Sequence, residues 1–149
     1  MPRPLPQSII DPKLLEEVKS VYRDLAQRPI ERNCERRTEC CHFKITGETP
    51  YLTKGEAIIA AKAWKASGRS KLPERKNGSC PFLEEGSGKC HIYEGRPFGC
   101  RTHFCKAAGG AYARREVIDL IRRLERVDIA LKGEGPLALP IAIQKVLLQ

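Results

Sequence analysis

Residues 80–105 read CPFLEEGSGKCHIYEGRPFGCRTHFC, with cysteines at 80, 90, 100 and 105. PFL and HIYE are short strand-like pieces, and EEGSGK between them is a two-glycine turn or hairpin loop. Pro97 and Gly99 mark another turn just before Cys100. Such a stretch offers little regular structure of its own, so its order is expected to come from its cysteines. A second group, NCERRTECCHF at residues 33–43, adds Cys34, Cys40 and Cys41 and reads as a loop. All seven cysteines therefore fall between residues 34 and 105.

The compartment decides how they are read. The longest apolar runs fall well short of the roughly 20 residues a spanning helix needs. The opening MPRPLPQSII is Pro-rich with no apolar leader core, and residues 1–12 are expected to be flexible. A cytoplasmic location without membrane association is expected, and a reducing cytosol rarely keeps structural disulfides. An odd count also leaves one thiol over in any full pairing. Polar or turn-like flanks (NCERR, GKCH, FGCR) argue against inert buried thiols. Metal ligation is the reading that remains favoured.

Thiolates are soft ligands that suit zinc and iron–sulfur clusters, and softness does not choose between them. Five residues separate Cys34 from Cys40; nine, nine and four separate Cys80, Cys90, Cys100 and Cys105. No CxxC knuckle occurs, which disfavours an ordinary zinc ribbon or finger, and no Cx3Cx2C triad occurs either. Adjacent side chains on extended backbone point to opposite sides, so Cys40 and Cys41 do not easily face one ion together. Two centres, or one centre with spare thiols, are both open. His42, His91 and His103 each lie beside a cysteine; His103, inside CRTHFC, is the best histidine candidate. Arg96 and Arg101 flank Cys100, either to stabilise its sulfur or to pair with Glu94 or another acid.

Around these loops the periodicity predicts helices. LLEEVKSVYRDLAQ places Leu14, Val18, Val21, Tyr22 and Leu25 at helical spacing, with Asp11 as cap and Pro12 at the first position, for a helix over 13–27. Thr53 and Glu56 fit a capping box opening a helix over 53–67, with Ile58, Ile59, Ala61, Ala63 and Trp64 as its buried side and Gly68 as its stop. A helix over 111–132 carries Val117, Leu120, Ile121, Leu124 and Leu131, pairs Asp119 with Arg122 and Arg123 on its exposed face, and ends at Gly133. The tail PLALPIAIQKVLLQ is apolar, broken by Pro140, and packs as a short helix. The expected fold is mainly α: one small domain over 1–149, three to four helices around an irregular metal-organised loop core (34–105), with little strand.

The net charge of +9 suits anionic partners, although a well-solvated basic surface is the favoured reading. The segment from Lys62 to Lys76 is the most basic of the chain and is the candidate surface for such a partner, with a solvated linker as the favoured reading. Apart from Trp64 it lacks interleaved aromatics, so base stacking is not indicated.

One combination goes further: the CC pair, then Cys80-Pro81-Phe82-Leu83, then Cys90-x-Ile92-Tyr93-Glu94-x-Arg96-Pro97, then Cys100-Arg101 and a following cysteine. It resembles the YkgJ family, also called the CxxCxxCC family, described as zinc- or iron-chelating. The resemblance covers residues 34 to about 105. It implies that Cys34, Cys40, Cys41, Cys80, Cys90, Cys100 and Cys105 are the ligand candidates, with Ile92, Tyr93, Glu94, Arg96 and Pro97 as scaffold. The opening departs from the family pattern: CERRTECC has Arg37 where the second cysteine falls, so there are seven thiols rather than eight, and His42 or His103 is a candidate to fill the gap. The expected function is a metal-binding protein chelating zinc or an iron–sulfur cluster. The alternatives are an iron–sulfur oxidoreductase or iron-dependent modifying enzyme, and a zinc-stabilised nucleic-acid-binding protein.

Overall fold

The computed structural model describes residues 10–28, 50–73, 80–84, 90–102 and 113–148. Cys34, Cys40, Cys41, Cys105, His42, His103 and Arg37, the 1–9 stretch expected to be flexible, and the 74–76 end of the basic segment lie outside the described residues.

Helix α1 (Pro12–Ala26) begins as expected: Pro12 takes the first turn and the Asp11 carboxylate accepts from the Lys13 N–H at 2.9 Å. It buries Leu15, Val18, Val21, Tyr22 and Leu25; Leu15, rather than Leu14, completes the stripe in the first turn. A two-residue strand β1 (Tyr51–Leu52) leads through Thr53 into α2 (Lys54–Ala66). Every residue of α2 from Gly55 to Ala61, and Trp64, is buried, so this helix is enclosed on most of its circumference. Its small residues make that enclosure feasible. A Cβ built on Gly55 would lie 2.9 Å from Val18 Cγ2 and 3.0 Å from Val127 Cγ1, so α1 and the fourth helix approach its backbone directly. Gly68, with φ at +91°, ends α2 as expected.

Past the cysteine segment, α4 (Arg114–Ala130) buries Val117, Leu120, Leu124, Val127 and Asp128. It packs along α1, and the charge pairs it makes are between helices: Arg123 bridges Glu17 and Asp24, and Asp119 pairs with Arg28. The expected pairs of Asp119 with Arg122 and Arg123 are displaced because α1 supplies Glu17 and Asp24 to Arg123, and Arg28, two residues past the end of α1, reaches Asp119. Strand β2 (Leu137–Ala138) pairs antiparallel with β1, matching Tyr51 with Ala138 and Leu52 with Leu137. Helix α5 (Leu139–Leu147) follows at once and packs on α2. Pro140 sits in its first turn, where a missing N–H costs nothing; it starts the helix and does not break the tail.

The turn after α4 also departs from expectation. The left-handed residue is Lys132, φ 58°, and not Gly133. The Gly133 N–H reaches Asp128 O at 2.8 Å and Lys132 N–H reaches Ile129 O at 3.0 Å, closing a Schellman turn. Glycine is needed at 133 for space: a Cβ there would overlap the Asp128 carboxylate. That buried carboxylate accepts from the Lys54 N–H at 2.7 Å and the Gly135 N–H at 3.0 Å, joining the start of α2 to the α4–β2 turn. The architecture is thus a mainly helical small domain with little strand, as the sequence predicts; a fifth helix and the β1–β2 pair go beyond that expectation. Among the described residues no helix is long and apolar enough to cross a membrane.

Candidate metal centre

Three candidate ligands, Cys80, Cys90 and Cys100, are among the described residues, and the helical core fixes the segment that carries them at three points. The first is Trp64. From Cys80 the chain makes a turn, with the Leu83 N–H on Cys80 O at 3.1 Å, and Phe82 is buried against Trp64 with ring centroids 5.3 Å apart. Leu83 then bridges Cys90, the His91 N–H reaches Phe82 O at 2.8 Å, and the His91 ring stands edge-on to Trp64 at 5.8 Å. Among the described residues, PFL and HIYE therefore form no strand; the one bridge joins Leu83 to Cys90, just before HIYE. Cys80 is buried and Cys90 half-buried.

The second point is Gly95. HIYE runs on into a 3-10 turn over Tyr93–Gly95, and Ile92 is buried. A Cβ on Gly95 would stand 3.0 Å from Ala63 Cβ, so this turn lies directly on α2 and a larger residue would lift it off.

Glu56 is the third. The turn expected at Pro97 and Gly99 is a short helix, α3 (Phe98–Thr102), which contains Cys100. Glu56, buried in the first turn of α2, accepts from the Thr53 N–H at 2.8 Å and the Thr53 hydroxyl at 2.7 Å through Oε2. Through Oε1 it accepts from the Phe98 N–H at 2.8 Å. Burial pushes its carboxyl above the usual range; the bonds from Thr53 and Phe98 offset part of that, and nearby Asp128 adds to it. The capping box with Thr53 was legible in the sequence, but its extension to α3 was not. Asp128 was missed altogether, although it occupies a position on the inward stripe of α4, where an acid needs buried partners.

Among the described residues, the hydrogen bonds of the arginines beside Cys100 go to backbone carbonyls, and both guanidiniums lie against rings. Arg96 Nε donates to Tyr93 O at 2.8 Å, and its guanidinium lies 3.9 Å from the Tyr93 ring centroid. Arg101 donates to Arg96 O at 2.8 Å and Glu94 O at 2.6 Å, and lies 4.1 Å from the Tyr22 ring centroid. Arg101 is thus hydrogen-bonded to the Glu94 carbonyl. Burial lowers the Arg101 pKa, with the neighbouring Arg96 charge acting the same way, while the Glu94 charge favours its protonated form.

Thiols, with or without imidazole, are the donor set of zinc and iron–sulfur sites, so the chemistry of these residues fits such a group. Among the described residues no three His, Cys, Asp or Glu side chains lie close enough to hold an ion, so Cys80, Cys90 and Cys100 do not make a shell by themselves. A family model described as a "Putative zinc- or iron-chelating domain" matches residues 33–119, more than half of the chain. That span takes in α2, the cysteine segment and the start of α4, and leaves α1 and α5 outside. No curated protein and no solved structure matches the chain.

Proposed function

The chain belongs to the CxxCxxCC family, and from that premise we propose that its cysteines form a thiolate centre for zinc or an iron–sulfur cluster. Cys80, Cys90 and Cys100 supply one part of the ligand set; Cys34, Cys40, Cys41 and Cys105, with His103, supply the remainder. The observation that carries the reading is the three-point attachment of the cysteine segment to α2, through Trp64, Ala63 and Glu56. A segment with one bridge and two short helical turns has little reason to be held so closely unless its side chains are to be presented in fixed positions. Bound metal would hold the thiolates deprotonated and cross-link loops that have little core of their own.

The test is metal content of anaerobically purified full-length chain, with a visible spectrum. Colourless protein carrying one or more zinc ions per chain supports a zinc centre. Iron and sulfide in matching amounts, with a brown colour, support a cluster. Protein that carries neither metal and takes up neither on reconstitution overturns the proposal.

A further inference from the structure

Away from the cysteine segment, the start of α2, the turn after α4 and helix α5 surround a hollow of about 60 Å³. Its floor is apolar: Leu52, Ala57, Ala142 and Val146 are buried there. Its rim is charged. Among the described residues the rim carries three lysines, Lys54, Lys132 and Lys145, against one acid, Glu134. The buried Asp128 carboxylate lies against Gly133 and accepts from the Lys54 and Gly135 N–H groups. Counting it as well, three positive charges face two negative ones, and the hollow stays net positive.

The rim also shows what it accepts. Lys145 Nζ donates to both oxygens of Glu134, at 2.8 and 2.9 Å, so a carboxylate already sits there. The Lys145 ammonium, and to a lesser degree the Lys54 charge, hold the Glu134 carboxyl below its usual range. The Glu134 side chain is 67% exposed, and an exposed ion pair is weakly held. Glu134 can therefore swing out into water without uncovering a buried group. The hollow beneath has room for about four waters, the space of a short hydrocarbon tail. An apolar floor below ammonium groups suits a small monoanion with such a tail; a bare inorganic anion would leave the floor unfilled.

We propose that this hollow binds short-chain monocarboxylates of about three to five carbons, the carboxylate taking the place of Glu134 on Lys145 and the tail lying on Leu52, Ala57, Ala142 and Val146. No cysteine or histidine lines the hollow, so the proposal does not depend on the metal centre. The wall from Lys132 to Val146 lies beyond the span that the family model matches.

The experiment follows amide shifts in 1H–15N NMR spectra of the full chain as butyrate is added, with formate, inorganic phosphate and neutral butanamide as comparators, for wild type, Glu134→Gln and Lys145→Met. Expected are saturable butyrate shifts at the Gly133 and Gly135 amides, with a millimolar Kd and weaker binding of all three comparators. Glu134→Gln should bind butyrate about 2–5-fold more tightly, because the competing carboxylate is gone. Lys145→Met should bind it about 10-fold more weakly. Absence of saturable butyrate shifts in both wild type and Glu134→Gln overturns the proposal. Equal binding of butanamide also overturns it, because the lysines would then not read the charge. So does equal binding of phosphate or formate, which would leave the apolar floor without a role. Glu134→Gln that binds no more tightly than wild type overturns the placement of the carboxylate on Lys145.

Discussion

Glu56 and Phe98, 42 positions apart in sequence, are joined by one hydrogen bond from the Phe98 N–H to Glu56 Oε1 at 2.8 Å. The same carboxylate caps α2 through Thr53, so one buried acid sets the start of two helices, one of which carries Cys100.

Glu56→Gln tests that junction. A carboxamide has a single acceptor oxygen, so either the Thr53 or the Phe98 N–H must face an amino group. An unsatisfied buried N–H costs about 1–3 kcal/mol. The pH dependence carries a second signature. Because burial raises the folded-state pKa above the usual 4.5, the folded chain holds this proton more tightly than the unfolded chain does. The stability this contributes is full below pH 4.5 and is lost as pH rises through the raised value. Urea midpoints should therefore show the wild-type advantage over Glu56→Gln shrinking as pH rises from 4 to 7. Parallel profiles would contradict it.

Gly133→Ala and Lys132→Gly should act in opposite directions. The first places a methyl group where the Asp128 carboxylate sits, threatening its bonds to Lys54 and Gly135, and should cost about 1–3 kcal/mol. The second relieves a side chain at positive φ and should gain about 1 kcal/mol. Thermal melts of the two single variants decide it; a neutral Gly133→Ala would mean that the carboxylate moves aside freely.

Arg123→Met keeps the stem and removes the charge that bridges Glu17 and Asp24. All three side chains are partly exposed, so the loss should be under about 1 kcal/mol and should fade in 1 M salt. A larger, salt-independent loss would show that packing, not charge, joins α1 to α4.

Removal of metal should loosen residues 80–84 and 90–102 while sparing the α1–α4 seam, whose buried residues include no cysteine. Hydrogen exchange before and after chelation would show rates rising in the cysteine segment, with far-UV helicity largely kept. Equal acceleration in α1 and α4 would count against a local metal-held region.

What the sequence disclosed follows the range of the forces involved. The stripes of α1 and α4, the Thr53–Glu56 cap and the Gly68 stop are local patterns, and all were legible. Pro140 was misread because proline is a breaker inside a helix and a good starter at its edge. HIYE has strand-forming residues but lacks a ladder beyond Leu83–Cys90, so Tyr93–Gly95 turns into a 3-10 helix instead. Asp119 turned to Arg28 because the chain just past the end of α1 brings a guanidinium to it from across the seam. In the site, the cysteine motif was visible as text. Its supports were not: the reach of Glu56 to Phe98, and of Arg101 to Tyr22, depend on chain segments meeting in space.

Trp64 is the chain's single tryptophan. Its indole lies against Phe82 and His91, the immediate neighbours of Leu83 and Cys90 in the bridged turn, and its Nε1–H reaches Lys71 O at 3.3 Å. Its fluorescence therefore belongs wholly to the place where the helical scaffold meets the cysteine segment. A shift in emission on metal uptake would come from that junction and nowhere else, giving unlabelled protein a built-in optical readout of the loading and unloading of its thiols.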